Sequence, residues 1–296
     1  MDFLLTPLQQ DFMVRALIAS TLIGLVCSVV GVYVVLRNLS FIGDGIAHAS
    51  FAGIVIAYLF KFNLYVGGLI VAVLTALGIG AVSRRSDVSL DTAIGVMFTA
   101  VFALGVLLMS RVRNYVVDLQ DFLFGNVLSV DRTDILLIAG LTIGVLLVVF
   151  AFYKELLFAS FDPVMAQASG LPTTALSNLL LVILAVTIIV SLQAAGIVLV
   201  AALLVTPAAA AYQLTNRFAT MMAVSAAIGV GSAIIGLYAS YYLNAASGST
   251  IVLTATLFFF AAMAFSPKRR SLLTQVLAAH RRGQMRQTQP VIPAGR

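Results

Sequence analysis

Charge is scarce in this sequence. Asp, Glu, Lys and Arg make up 9% of its 296 residues, where a soluble globular chain carries about a quarter. Hydrophobic residues reach 61% and the mean hydropathy is +1.10, so a soluble fold is excluded. Cysteine is nearly absent. Cys27 stands alone in the first apolar run, which rules out an internal disulfide and reads as a small packed hydrophobe. Acids vanish after Asp162, yet seven of the seventeen basic residues (Lys268, Arg269, Arg270, Arg281, Arg282, Arg286 and Arg296) follow the last apolar run. That imbalance is a topology signal, not a nucleic-acid footprint, and it holds the tail in the cytoplasm. No Gly-x-x-x-x-Gly-Lys-Ser/Thr phosphate loop is present, so the chain is not expected to bind ATP itself. His-Glu-x-x-His and Gly-x-Ser-x-Gly are missing too, which removes the usual zinc and serine intramembrane proteases. No basic n-region precedes the first apolar run, so no cleavable signal is expected.

What the chain does have is long apolar runs, at 14–36, 37–60, 64–82, 92–110, 135–153, 175–195, 196–214, 218–243 and 250–265. They run from 16 to 26 residues, close to the length of about 20 that a membrane helix needs. The expectation is an all-α, polytopic integral membrane bundle of about nine transmembrane helices, or eight if the hinge after the first run stays within the bilayer. The membrane unit takes residues 1–266 and leaves 267–296 as a basic cytoplasmic tail. Little length remains for a soluble catalytic domain of roughly 100 residues, so energy must come from a gradient or from a separate subunit. Counting back from the tail puts Arg217, the 154–174 segment and the pair Arg84 and Arg85 inside, with 111–134 and the N-terminus outside. Residues 1–11 read as a surface turn. Pro207 sits within the seventh run, where it is expected to kink or break the helix.

The second run carries Asp44 and His48, the acid and the histidine that interrupt a long apolar stretch. Four residues apart, they stack on one face of a helix. A carboxylate at the centre of a membrane helix costs about 2.5–3.5 kcal/mol even on a lenient scale, so such residues mark function by default. Carboxylate and imidazole are credible ligands for zinc or manganese, and two protein ligands suit a transit site better than a closed one. Ser50, water or a second subunit would complete the shell, and Cys27 is a conceivable soft ligand. Two plainer roles compete: Asp44 as a helix N-cap, and Asp44 with His48 as an intrahelical ion pair.

On the inner side, Asp162 can cap a short helix with Pro163 at its first position, and Gly170 followed by Pro172 can end it. Start and stop signals bracket a helix near 161–171. A handle for a separate motor is one use for it.

These pieces together resemble the permease subunit of the zinc/manganese family of ABC importers. The matching stretches are 36–49, which holds Asp44 and His48, the pair Phe124 and Gly125, 161–172, and 196–211. The resemblance implies a homodimer of all-helical subunits in the cell membrane of a prokaryote, each docked to a cytoplasmic ATP-binding subunit and fed by an extracytoplasmic metal-binding protein. The resemblance also implies a transport subunit and not an enzyme. On that resemblance Asp44 and His48 contact the transported divalent ion, no cofactor is bound permanently, and Asp162, Pro163, Ala166 and Gly170 belong to the ATPase coupling helix. Manganese members often carry proline where this chain has Ala52, which leans the expectation to zinc. The rival class is a gradient-driven secondary transporter of a small solute, for which an internal repeat would be usual; none is evident.

Overall fold

The computed structural model describes residues 6–86, 88–111 and 127–266. The expected tail, 267–296, lies outside the described residues, as do Phe124 and Gly125. Among the described residues the structure is helical throughout: α1 (Asp11–Leu36), α2 (Ile42–Phe60), α3 (Leu64–Arg85), α4 (Leu90–Met109), α5 (Arg132–Ala151), α6 (Tyr153–Phe161), α7 (Pro163–Ala168), α8 (Thr173–Leu214), α9 (Phe218–Leu243) and α10 (Ser247–Ala264). A single 3-10 turn, Pro7–Gln9, precedes α1 and another, Val127–Ser129, precedes α5. Nine segments among the described residues are long and apolar enough to cross a bilayer, α8 supplying two of them, Thr173–Leu192 and Ala194–Leu214. The all-α, nine-span expectation matches.

Local chemistry sets the ends. Asn63 accepts hydrogen bonds from the amides of Tyr65 and Val66 at the start of α3, and Ser89 accepts from the Thr92 amide at the start of α4. Asp131 and Asp134 form a capping box on α5, pairing amides that the first helical turn leaves without partners. The element that the sequence reading missed is α6. Its Tyr153–Phe161 run follows α5 after one residue, and no proline or glycine announces the corner.

The core is α1 together with both halves of α8. Within the hydrophobic stretch of α1, 72% is buried, against 17% for α4 and 22% for α5 and α10; the latter three therefore turn their apolar faces outward, as helices in lipid do. Running straight, the 42 residues of α8 would reach about 63 Å, twice a hydrocarbon core of ~30 Å. The chain reverses instead at Gly196, where φ is 76° and ψ is 165°, a region that essentially only glycine enters. Cys27 touches Ser191 in the first half, and Gly31, one turn on, faces Leu204 in the second, so both halves lie against the same stretch of α1. The expected break at Pro207 is not where the chain bends. Gly196 is the one departure from helical geometry within α8, and the helix runs on through Pro207, held among fully buried Ala208, Ala210 and Ala211; one missing hydrogen bond is tolerable in so tight a setting.

Helix ends meet in two sets. At one end Arg37 bonds Ser177, Ser266 bonds the Gln213 carbonyl, and the rings of Tyr33, Tyr153 and Phe161 gather on Phe218. At the other, Arg15 pairs with Asp131 at 3.3 Å. Arg84, Arg85, Lys154 and Arg217 follow the first set, which is the cytoplasmic side by the positive-inside tendency.

Candidate functional site

The turn 37–41 sends the chain straight back into the bundle. Gly43 lies on Leu204, the residue that also faces Gly31, so the first turn of α2 starts about 8 Å up from the inner end of α1. From there α2 is clamped on several sides by small residues. A Cβ on Gly53 would overlap the Gly67 carbonyl of α3, and one on Gly105 of α4 would come within 2.8 Å of the Ala52 Cα. These close approaches bury the N-terminal two-thirds of α2. Between Ile42 and Gly53 every residue is buried except Asp44, which is exposed, and His48, which is half-buried. The two ionisable residues thus occupy the uncovered face of an otherwise enclosed helix.

His48 is oriented by its own helix. Its Nδ1 lies 2.9 Å from the main-chain oxygen of Asp44; a carbonyl can only accept, so Nδ1 donates and the proton resides there. The lone pair of Nε2 is left free for an external ligand. The ring is flanked by Phe98 and Phe102 of α4, with centroids 5.9 and 5.7 Å away. Phenylalanines one turn apart on the fourth span were the signal that the sequence reading passed over.

The Asp44 carboxylate makes no hydrogen bond or ion pair among the described residues. The capping role fails, because α2 begins at Ile42 with Phe41 at the cap position and no side-chain cap bond. The intrahelical ion-pair role fails too, since His48 reaches the Asp44 main chain and the one ion pair among the described residues is Arg15 with Asp131. Asp44 still sits in the first turn of α2, where the helix dipole favours negative charge.

Two candidate partners drop out. Ser50 is fully buried and donates to the Ala47 carbonyl at 2.6 Å, while Cys27 packs against Ser191 in the core. No group of three His, Cys, Asp or Glu side chains occurs among the described residues, so this chain offers two ligands here and not a closed shell. Just before the site, Arg37 is half-buried and donates from Nη2 to Ser177 Oγ at 2.7 Å; burial pulls its pKa below the usual guanidinium range.

At the inner surface α7 forms as its start and stop signals require. Asp162 accepts from the Met165 amide at 2.9 Å with Pro163 in the first turn. Gly170 has φ of 85°, and the bonds Gly170 N–H to Gln167 O and Leu171 N–H to Ala166 O complete a Schellman ending. Asp162, Pro163 and Gly170 are exposed, but Ala166 is 0% exposed and faces its own chain. Ala166 thus belongs to the short helix but turns its methyl into the subunit's own interior. The outward residues are Val164, 78% exposed, and Met165, 56% exposed, apolar side chains left uncovered on a polar surface.

Comparison with known proteins bears on these features. The sequence model of the ABC 3 transport family, a family of that name, matches residues 9–266. The manganese transport system membrane protein MntC of Halalkalibacterium halodurans is 45% identical over 281 residues, covering 95% of this chain and 96% of that one. The manganese import system permease protein ScaB of Streptococcus gordonii is 38% identical over 265 residues, covering 90% and 95%. Among solved structures, PsaBC from Streptococcus pneumoniae in complex with Fab superposes with a TM-score of 0.82 at 34% identity, covering 93% of this chain and 99% of that one.

Proposed function

Because this chain belongs to the ABC 3 transport family, we propose that it is the membrane-spanning permease subunit of an ATP-driven importer of divalent metal ions. The observation that carries the reading is the face of α2: Asp44 and His48 are the residues between Ile42 and Gly53 that the subunit leaves uncovered. A free carboxylate and a free Nε2 one turn apart suit a divalent cation as cargo. A second copy facing the first across α2 would double the ligands to about four, the number that a bound transition ion commonly takes. The weakly buried α4 beside His48 supplies apolar surface for that pairing. Two ligands per copy also let the pair come apart, which alternating access requires.

The motor is a separate cytoplasmic ATP-binding subunit seated on α7, with Val164 and Met165 as its apolar contacts and Asp162, Pro163 and Gly170 fixing the shape of the helix. An extracytoplasmic metal-binding protein delivers the ion to the opposite end. For the cargo, the relatives named for manganese transport favour manganese, which the carboxylate–imidazole donor set accommodates. The argument from Ala52 toward zinc loses weight, because Ala52 is fully buried against Gly105 and its identity speaks to helix packing. The test is uptake by cells expressing the permease with its ATPase and binding protein, with manganese, zinc and ferrous ions offered in competition. Manganese-preferring uptake that stops with a catalytically dead ATPase is the expected result. Uptake that persists with the dead ATPase would replace the reading with that of a secondary carrier.

A further inference from the structure

An open cleft of about 930 Å³ lies between α5 and α9 at the outer surface of the subunit. Both helices pack on α1, and the gap between them is floored by Leu25 and Val29 of α1. Phe150 forms one wall; Ala219, Ala223 and Ala226, about one turn apart on α9, form the other. The alanines are why the space exists: larger side chains at those positions would fill it. At the cytoplasmic end, where α5 gives way to α6, the lining changes character and ends in Lys154 and Glu155.

The depth of the cleft identifies its occupant. Leu25 stands eleven residues from the inner end of α1, about 16 Å at helical rise, which is half of a ~30 Å hydrocarbon core. The lining on α9 runs from Ala219 to Ala226, about 10 Å at helical rise, so the cleft starts at the cytoplasmic end, stays apolar through most of the inner leaflet, and opens sideways. Lys154 is exposed and Glu155 half-buried, and neither has an ion-pair partner among the described residues. A cation and an anion side by side at headgroup level match a headgroup that carries both signs.

We propose that this cleft binds one phospholipid of the inner leaflet, an acyl chain lying along the α9 alanines and a zwitterionic headgroup at the mouth. Lys154 takes the phosphate, and Glu155 takes a primary ammonium through a charge-assisted hydrogen bond. Neither Asp44 and His48 nor the Phe98 and Phe102 rings beside His48 line the cleft, so it is a fixture of the permease and not part of the ion path.

The test is native mass spectrometry of the purified permease–ATPase complex, released from nanodiscs of phosphatidylethanolamine, phosphatidylglycerol or phosphatidylcholine. The wild type is expected to retain one phosphatidylethanolamine per permease chain. Ala223→Phe, which fills the cleft from an exposed position, removes the bound lipid. Glu155→Gln leaves the fold intact and lowers ethanolamine retention about tenfold relative to the glycerol headgroup, the effect of one charge-assisted bond. Equal retention by wild type and Ala223→Phe would overturn the proposal, as would equal retention of all three headgroups by the wild type. Dissociation of paired permeases by Ala223→Phe would show that a second copy covers the cleft, and would also overturn it.

Discussion

His48 Nδ1 lies 2.9 Å from the main-chain oxygen of Asp44, so the residue that supplies the carboxylate also aims the imidazole. Ring orientation therefore depends on the backbone of α2 and not on the Asp44 side chain. Asp44→Asn removes the charge but keeps the carbonyl, the helix and the orientation of His48. The expected outcome for Asp44→Asn and for His48→Ala alike is a permease that inserts and assembles normally and imports metal at least about tenfold more slowly, a loss of one metal-ligand interaction. Uptake of radioactive manganese checks it. Wild-type rates in either variant would show that the side chain does not touch the ion.

A second prediction separates docking from folding at α7. Val164→Glu and Met165→Glu place a charge on exposed surface, so the permease should fold as before. Burial of that unpaired charge against the ATPase would weaken docking by about 2–5 kcal/mol, read as loss of co-purification. Ala166→Glu buries a charge inside the subunit itself and should lower expression and melting temperature first. Retention of the ATPase by Met165→Glu at the wild-type level would remove α7 as the contact.

The third concerns the clamp around α2. Gly53→Ala drives a methyl into the Gly67 carbonyl, and overpacking of this kind costs about 1–3 kcal/mol. Gly95→Ala, by contrast, meets nothing within 4 Å and gains helix propensity of about 1 kcal/mol. Thermal melts in detergent should therefore move in opposite directions. A Gly53→Ala melt at or above the wild-type value would contradict the close approach of α2 and α3.

Topology can be read against a clean background. Cys27 is fully buried, so a membrane-impermeant thiol reagent should ignore the native chain. Gln167→Cys on α7 should label only after the membrane is opened, and Ala245→Cys in the α9–α10 turn should label in intact cells. The reverse pattern would invert the chain in the membrane.

Much of this was legible before the structure. Hydropathy located each span because the bilayer demands a long apolar helix every time the chain crosses it, and Asp44 and His48 stood out because ionisable groups are costly there. The caps of α7 could be read from Asp162, Pro163 and Gly170, since capping is local. What could not be read depended on which face a residue turns. Ala166 lies in the right helix but points inward, Ser50 lies two residues beyond His48 but on the buried side, and Pro207 looked like the breaker when Gly196 was. In a span that is apolar all round, with no polar face to set its rotation, such orientation comes from neighbouring helices and not from the pattern along the chain.

The reversal at Gly196 also bears on how the protein enters the membrane. Spans Thr173–Leu192 and Ala194–Leu214 are joined with no hydrophilic loop to drag across, so the translocation step that a longer connection would impose is absent here. The two halves can insert as one hairpin, each satisfying its own backbone, with a bend that needs nothing but a residue lacking Cβ. A side chain at this position would strain the bend in the inserting hairpin and in the finished protein alike.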